Sequence, residues 1–210
     1  MSKALNKSIE ESLELTFLSA LYRYLKPFKD KLICDIDILL RSHYALLVGT
    51  LDAYLHRVVA ERMAMMLFDG VERTKNFNSF KIPISLLLSL QRAEDDKCKR
   101  EIFREGIYDI IRQNSYLSEK GVEGVATLIG INNIWSKLGE KMDAPSGKVK
   151  DLFNQIVNRR NRIVHELDYN KQQEREHITK EDVDRVSNFV MKVRACIEEF
   201  MSQGTKAKQQ

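Results

Sequence analysis

The sequence predicts an all-α fold. Apolar residues recur mostly at spacings of three and four, as on amphipathic helices, and only three prolines and nine glycines interrupt them. The chain has 210 residues, 43% hydrophobic and 30% charged, which suits one globular domain with a buried core. We therefore expect a single helical domain over residues 1–203 and a flexible C-terminal tail at 204–210.

Two long helices are predicted at the start of the chain, over residues 2–26 and 30–69. Pro27 should end the first, and Gly49 is the candidate point for a kink in the second. Each has an apolar stripe that predicts its core-facing side. The first stripe contains Ile9, Leu13, Thr16, Phe17, Ala20 and Tyr24, and the second contains Tyr44, Leu47, Val48, Leu51, Leu55, Val58, Val59, Arg62, Met65 and Met66.

The rest of the chain predicts shorter helices and a long final one. Residues 69–80 and 143–147 are expected to be connections, and Trp135 is expected in the core. Helices are predicted at 83–93, with Pro83 in the first turn, at 95–113, and at 118–142 with a separation at Gly130. A helix after the second connection carries the segment discussed below. The last helix should begin at Thr179, whose spacing from Asp182 resembles a capping box, and run to about residue 201.

Charge and cysteine content restrict the setting and the partners. Lys and Arg number 34 against 30 Asp and Glu, and this net charge of +4 permits an anionic partner without requiring one. Cys34, Cys98 and Cys196 form no C-x-x-C pair, and Met1 begins a polar stretch rather than a signal segment, so we expect a reduced, cytoplasmic protein. The apolar runs fall short of the roughly 18 residues of a membrane span, so no membrane association is expected.

The segment NRRNRIVHELDYN, residues 158–170, has an unusual polar face. On a helical wheel the apolar positions fill one arc, at Leu152, Phe153, Ile156, Val157, Ile163, Val164 and Leu167. The opposite side holds Asn154, Asn158, Asn161, Arg162 and His165. Exposed helix faces are usually built from Glu and Lys pairs, so a stripe of amides with one imidazole suggests a specific role.

Arg160 falls inside the apolar arc, where an unpaired guanidinium is costly. Either its head extends past the edge of the core, or an acid from another element holds it, and Asp52 is the candidate acid. His165 has two interpretations as well, an ordinary exposed histidine or a catalytic one. Arg159 and Arg162 are either solvated surface charges or contacts to a phosphate backbone.

The letters RNRIVH at Arg160 to His165 resemble the R-[N/H/D]-x-x-x-H signature of the HEPN superfamily. The continuation to residue 200 is similar to prokaryotic HEPN proteins of defence and toxin–antitoxin systems, including the RiboL-PSP-HEPN group, and ALLVGTLDAYLHRVVAERM resembles the second helix of that group. The resemblance implies an antiparallel helical bundle with extra short helices. It also implies a metal-independent endoribonuclease with Arg160 and His165 as the catalytic pair and Asn161 as the residue that supports them.

Cleavage through the 2′-hydroxyl of RNA needs two proton transfers and cations around the phosphorane, but no metal or other cofactor. The four histidines are scattered and no metal-ligand spacing occurs. The HEPN resemblance implies a homodimer that supplies two copies of His165 and Arg160 to one composite site. Arg160 and His165 diverge by about 140° on an ideal helix, so we expect the helix to loosen before His165.

The neighbouring residues receive supporting roles. Asn158, Arg159 and Arg162 are candidate RNA contacts, and Glu166 and Asp168, whose carboxylates would repel a phosphate, are expected to be structural or orienting. The leading hypothesis is an RNA endonuclease, restrained in its setting by an antitoxin or other defence protein. The alternatives are a HEPN module that binds RNA or nucleotides without cleaving them, and a helical protein-interaction domain.

Overall fold

The computed structural model describes the backbone of residues 2–206 and the side chains of residues 2–202. Within that part of the chain it contains nine α-helices, no strand and one isolated bridge, between Tyr169 and Arg175, which confirms the all-α prediction. None of these helices is apolar over a length sufficient to cross a membrane. The helices are α1 (Lys3–Leu25), α2 (Ile38–Phe68), α3 (Lys75–Asn78), α4 (Ile84–Arg92), α5 (Asp96–Ile111), α6 (Glu119–Ile129), α7 (Ile134–Met142), α8 (Ser146–Glu166) and α9 (Lys180–Lys206).

Helix α2 is the centre of the fold. It contacts α1, α5, α6, α8 and α9, and its side chains at Leu40, Tyr54, Leu55 and Val58 are fully buried. Its predicted core stripe is buried from Tyr44 to Met66, apart from the half-buried Met65. A helix surrounded by five others buries apolar side chains around most of its circumference, which is why its sequence is rich in Leu, Val, Ala and Met.

Two helix boundaries differ from the prediction. Helix α2 begins at Ile38 rather than at residue 30, because residues 26–31 form a separate 3-10 turn and the Asp35 carboxylate accepts a hydrogen bond from the backbone N–H of Asp37. It then continues through Gly49 without interruption. Helix α9 runs to Lys206, beyond the predicted end near residue 201. The tail was expected at residues 204–210, and its last four residues lie outside the described part of the chain.

The predicted turns and caps are present. Gly130 has φ 95°, a left-handed conformation that favours glycine, and it ends α6 where the separation was expected. At the start of α9, the Thr179 hydroxyl accepts from the Asp182 N–H and the Asp182 carboxylate accepts from the Thr179 N–H, which completes the capping box. Pro83 is the N-cap of α4, and Trp135 is 5% exposed, in the core as predicted.

Helix α1 packs with the opposite face from the one predicted. Leu13 is 63% and Phe17 65% exposed, and Ile9, Ala20 and Tyr24 are exposed beside them. The face turned to the core is mixed instead, with Ala4, Leu5 and Leu15 beside buried serine hydroxyls. The Ser8 hydroxyl donates to the Thr50 carbonyl, and the Ser19 hydroxyl lies 2.7 Å from Nδ1 of His43. Hydroxyl groups on α1 satisfy polar groups of α2, so amphipathic spacing alone predicted the wrong side.

Truncating the same side chain at an exposed and a buried position tests this orientation. Leu13→Ala should change the free energy of unfolding by less than about 0.5 kcal/mol, because Leu13 is largely exposed. Leu55→Ala, at a position that is 0% exposed, should cost about 2–5 kcal/mol through the lost burial and the cavity that remains. Urea denaturation of both variants measures the difference, and a similar cost at both positions would contradict the packing of α1.

The buried His43 predicts a pH dependence of stability. Burial lowers its pKa, and nearby Lys180 lowers it further, against the opposing effect of Asp184. The unfolded chain therefore binds a proton more readily, so this contribution is fully present above the ordinary histidine pKa of about 6.5 and is lost as pH falls from there to the folded-state pKa. Between about pH 7.5 and 5.5 the free energy of unfolding should fall, with a slope of at most about 1.4 kcal/mol per pH unit from this group. His43→Gln should remove that part of the slope in urea denaturation, and an unchanged slope would contradict it.

Candidate functional site

Helix α8 carries the R-N-x-x-x-H motif and remains regular through it. The helix extends to Glu166, and only then do Leu167 and Asp168 turn into the left-handed region, at φ 51° and 64°. Their N–H groups both donate to the Arg162 carbonyl, which closes the helix end. The expectation that the helix loosens before His165 is wrong, because the chain reverses after the motif rather than within it.

The buried carboxylate of Asp168 holds this turn in place. Asp168 is 0% exposed, and its Oδ2 lies 3.3 Å from both Nε of Arg41 on α2 and Nη2 of Arg159 on α8. Arg41 also donates to the Glu176 carbonyl, and Arg159 donates to the His177 carbonyl. One carboxylate and two guanidinium groups thus connect α2, α8 and the segment that leads to α9.

Arg159 and Arg162 are committed to the fold. Besides Asp168, Arg159 lies 3.5 Å from the Asp182 carboxylate at the start of α9, and its guanidinium sits over the Tyr44 ring. Burial raises the pKa of Tyr44 to about 12, with Arg159 opposing that shift. Arg162 donates to the Glu176 carboxylate at 2.8 Å. The ordinary surface explanation is therefore wrong for Arg159, and its guanidinium is also a poor candidate for the predicted phosphate contact.

Arg160 makes a different set of contacts from its neighbours. It is half-buried, its Nη1 donates to Oδ1 of Asn161 at 3.1 Å, and its Nε has no hydrogen-bond partner among the described residues. The candidate acid Asp52 lies elsewhere: it accepts hydrogen bonds from the Tyr116 N–H and the Ser115 hydroxyl. The proposed pairing of Arg160 with Asp52 is wrong, because Asp52 instead fixes the connection after α5.

The last two turns of α8 are exposed over a wide arc. Asn161, His165 and Glu166 are exposed, and within the described part of the chain His165 has no hydrogen bond or ion pair. Val164 is 48% and Leu167 52% exposed, although both belong to the predicted core arc. On a regular helix, Arg160 and His165 lie about 140° apart at the two edges of this arc, with Val164 and Asn161 between them. The motif side chains and two apolar ones therefore share one outward surface.

Asn158 lies one turn earlier on the polar side, exposed and at helical spacing from Asn161, Arg162 and His165. Arg41, whose partner Asp168 is 127 positions away, was not among the predicted site residues. Its place in the predicted apolar helix was a signal, since a buried guanidinium requires an acid. The described residues contain no group of three or more His, Cys, Asp or Glu side chains that could hold a metal ion.

An all-α domain with an R-N-x-x-x-H motif at the exposed end of a helix has the features of the HEPN class. The model of the RiboL-PSP-HEPN family matches residues 15–203, and the chain belongs to this family. No curated protein and no solved structure matches the chain. Membership suggests a ribonuclease or nucleotide-binding module that interacts with RNA and often dimerises.

Replacing Asp168 tests whether this carboxylate holds the turn. Asp168→Asn should lower the free energy of unfolding by about 3–5 kcal/mol, because it leaves the buried Arg41 and the half-buried Arg159 without their shared acid. Glu166→Gln removes an exposed acid two positions earlier and should change it by less than about 0.5 kcal/mol. Chemical denaturation measures both, and equal effects would show that Asp168 has no special structural role.

Proposed function

We propose that the protein is a metal-independent endoribonuclease of a prokaryotic defence or toxin–antitoxin system, acting in the cytoplasm at a composite homodimer site. The observation that carries the proposal is the exposure of Asn161 and His165 beside the half-buried Arg160 at the end of α8, in a chain that belongs to a HEPN family. The neighbouring Arg159 and Arg162 form ion pairs with Asp168 and Glu176. The imidazole of His165, by contrast, has no partner among the described residues. An unpartnered imidazole is free for proton transfer.

The reaction uses the nucleophile that RNA carries. One imidazole takes the proton of the 2′-hydroxyl, the 2′-oxygen attacks phosphorus, and a second imidazole protonates the departing 5′-oxygen. The products are a 2′,3′-cyclic phosphate and a 5′-hydroxyl end. Arg160 stabilises the negative charge that builds up on the phosphorane oxygens, and Asn161, which accepts its hydrogen bond, orients it.

A homodimer supplies the second imidazole. Two α8 ends that meet about a two-fold axis would bury the half-exposed Val164 and Leu167 of each chain. The motif residues at the edges of the same surface would then come together from both chains. On the regular helix, Arg160 and His165 of one chain diverge by about 140°, which counts against a joint role within that chain. The proposed site therefore combines residues of two chains.

A non-catalytic HEPN module is the second candidate. The exposed stripe of α1, with Leu13 and Phe17 each more than 60% exposed, favours a protein-interaction role. Large exposed apolar side chains grouped on one helix face often mark interaction surfaces. Such a module would retain RNA or protein binding without cleavage.

Cleavage of RNA in EDTA separates the two candidates. His165→Ala and Arg160→Ala should each reduce cleavage by about 10²–10⁴-fold while the circular dichroism spectrum stays unchanged. The matched controls are His177→Ala and Arg92→Ala, which remove exposed side chains of the same types outside the motif and should keep full activity. Products should end in 2′,3′-cyclic phosphate. Absence of cleavage by the wild-type protein, or equal activity of the motif variants and their controls, would contradict the proposal.

The oligomeric state tests the composite site. Val164→Glu places a charge in the proposed α8 contact, so it should convert the dimer to a monomer in sedimentation velocity and abolish cleavage. Phe17→Glu makes the same change on the exposed α1 stripe and should leave both unaffected. A dimer broken by Phe17→Glu but not by Val164→Glu would locate the contact on α1 and overturn the composite site, as would an active monomer.

A further inference from the structure

We propose that the groove between α8 and α9 binds the single-stranded RNA that flanks the cleaved bond, with Arg185 and Lys192 as the main phosphate contacts. This inference rests on the proposed function and adds a substrate-binding surface that lies outside the motif. The arginines of the motif segment are the first candidates for phosphate contacts. The structure assigns that role to unpaired cations on α9 instead.

Two neighbouring cavities lie between these helices. A cavity of about 280 Å³ lies beside Asn158 and Arg162, and a cavity of about 520 Å³ lies beside Lys148 and Lys192. Leu152 and Arg185 line both, so the cavities adjoin and together form the proposed groove. Residues 148 to 162 of α8 span about 21 Å, the length of about six stacked nucleotides at 3.4 Å each.

The basic residues of the groove differ in their availability. Arg159 and Arg162 are held in ion pairs with Asp168 and Glu176. By contrast, Lys148, Arg185 and Lys192 are exposed and form no ion pair among the described side chains. A cation without a protein partner can neutralise a phosphate, and so release a counterion from the nucleic acid, without breaking an ion pair of the fold. These three residues are therefore the suitable phosphate contacts.

The acids of the groove reduce its positive charge only in part. Asp182 is occupied by the Thr179 cap and by Arg159, and Asp184 pairs with Lys180. Within the described part of the chain, Glu181 is the one lining acid without an ion pair, against the three unpaired cations Lys148, Arg185 and Lys192. The charge available in the groove is therefore positive, which favours a polyanion such as a nucleic acid over a basic or neutral surface.

The remaining lining suits unpaired bases. Leu152 and Met142 are partly exposed in the groove, and the amides of Gln155, Asn158 and Asn188 line it too. Apolar surface between cations contacts base faces, while amides donate to and accept from base edges. A single strand uses both kinds of contact, whereas the bases of a duplex are stacked and paired.

The groove leads directly to the motif. Asn158 and Arg162, at its end, occupy the same exposed face of α8 as His165, which lies seven and three residues further along. Seven residues of helix correspond to about 10.5 Å. A strand in the groove would therefore deliver a phosphate to the surface that carries His165, within about three stacked nucleotides.

The test measures binding of single-stranded RNA in a His165→Ala background, so that cleavage does not interfere. Arg185→Gln with Lys192→Gln removes two positive charges from the groove. The matched control, Arg92→Gln with Lys97→Gln, removes the same two residue types from exposed positions at α4 and α5. Fluorescence anisotropy with a labelled single-stranded RNA gives the dissociation constant over a range of salt concentrations.

The double variant Arg185→Gln with Lys192→Gln, called the groove pair, should weaken RNA binding by at least about tenfold. It should also reduce the slope of log K against log salt by about 1.4, or 0.7 for each lost phosphate contact. In the protein that retains His165, the groove pair should raise KM for RNA cleavage with little change in kcat, since its contacts lie away from the reacting atoms. The control pair should alter none of these quantities.

The possible failures are distinguishable. Equal affinity and salt slope for the groove pair and the control pair would overturn the groove while leaving the proposed function intact. Failure of the His165→Ala protein and the control to bind any RNA would overturn both. If polyglutamate bound more tightly than RNA and the groove pair removed that binding, the groove would be a site for an acidic protein, and the assignment to RNA would be overturned.

Discussion

The buried carboxylate of Asp168 is the interaction on which the motif surface depends. It accepts from Arg41 and Arg159, and these two guanidinium groups in turn bind the carbonyls of Glu176 and His177. A buried ion pair carries a large desolvation cost, so it contributes most where several hydrogen bonds complete it. Here they fix the left-handed turn that directly follows the motif to the central helix α2.

This arrangement separates the functions of the three arginines of the segment, at positions 159, 160 and 162. Arg159 faces the buried acid, Arg162 pairs with Glu176, and Arg160 remains beside Asn161 at the edge of the exposed arc. Since Arg159 and Arg162 already have acidic partners, unpaired cations are the more available source of positive charge for a phosphate chain. Arg185 and Lys192 on α9 have no ion pair among the described residues and can supply it.

Polar contacts also influence which side of helix α1 is buried. Its hydroxyl-bearing face is buried because Ser8, Ser12 and Ser19 provide partners for polar groups that α2 and α9 place in the interior, including the buried Arg194, which donates to the Ser12 and Thr50 hydroxyls. Burial lowers the pKa of Arg194 to about 10, which reflects the cost of placing it there. Leaving such groups unsatisfied would cost more than exposing the apolar side chains of the other face.

The sequence by itself determined the helical class, the central apolar helix, the capping box at Thr179, the turn at Gly130 and the position of the R-N-x-x-x-H motif. These features depend on local periodicity and on short-range chemistry. Only the tertiary structure decided the buried side of α1, the partners of Asp52 and the different roles of Arg159 and Arg162. Each depends on contacts between distant positions, such as Arg41 with Asp168, and a helical wheel records the direction of a side chain but not what lies opposite it.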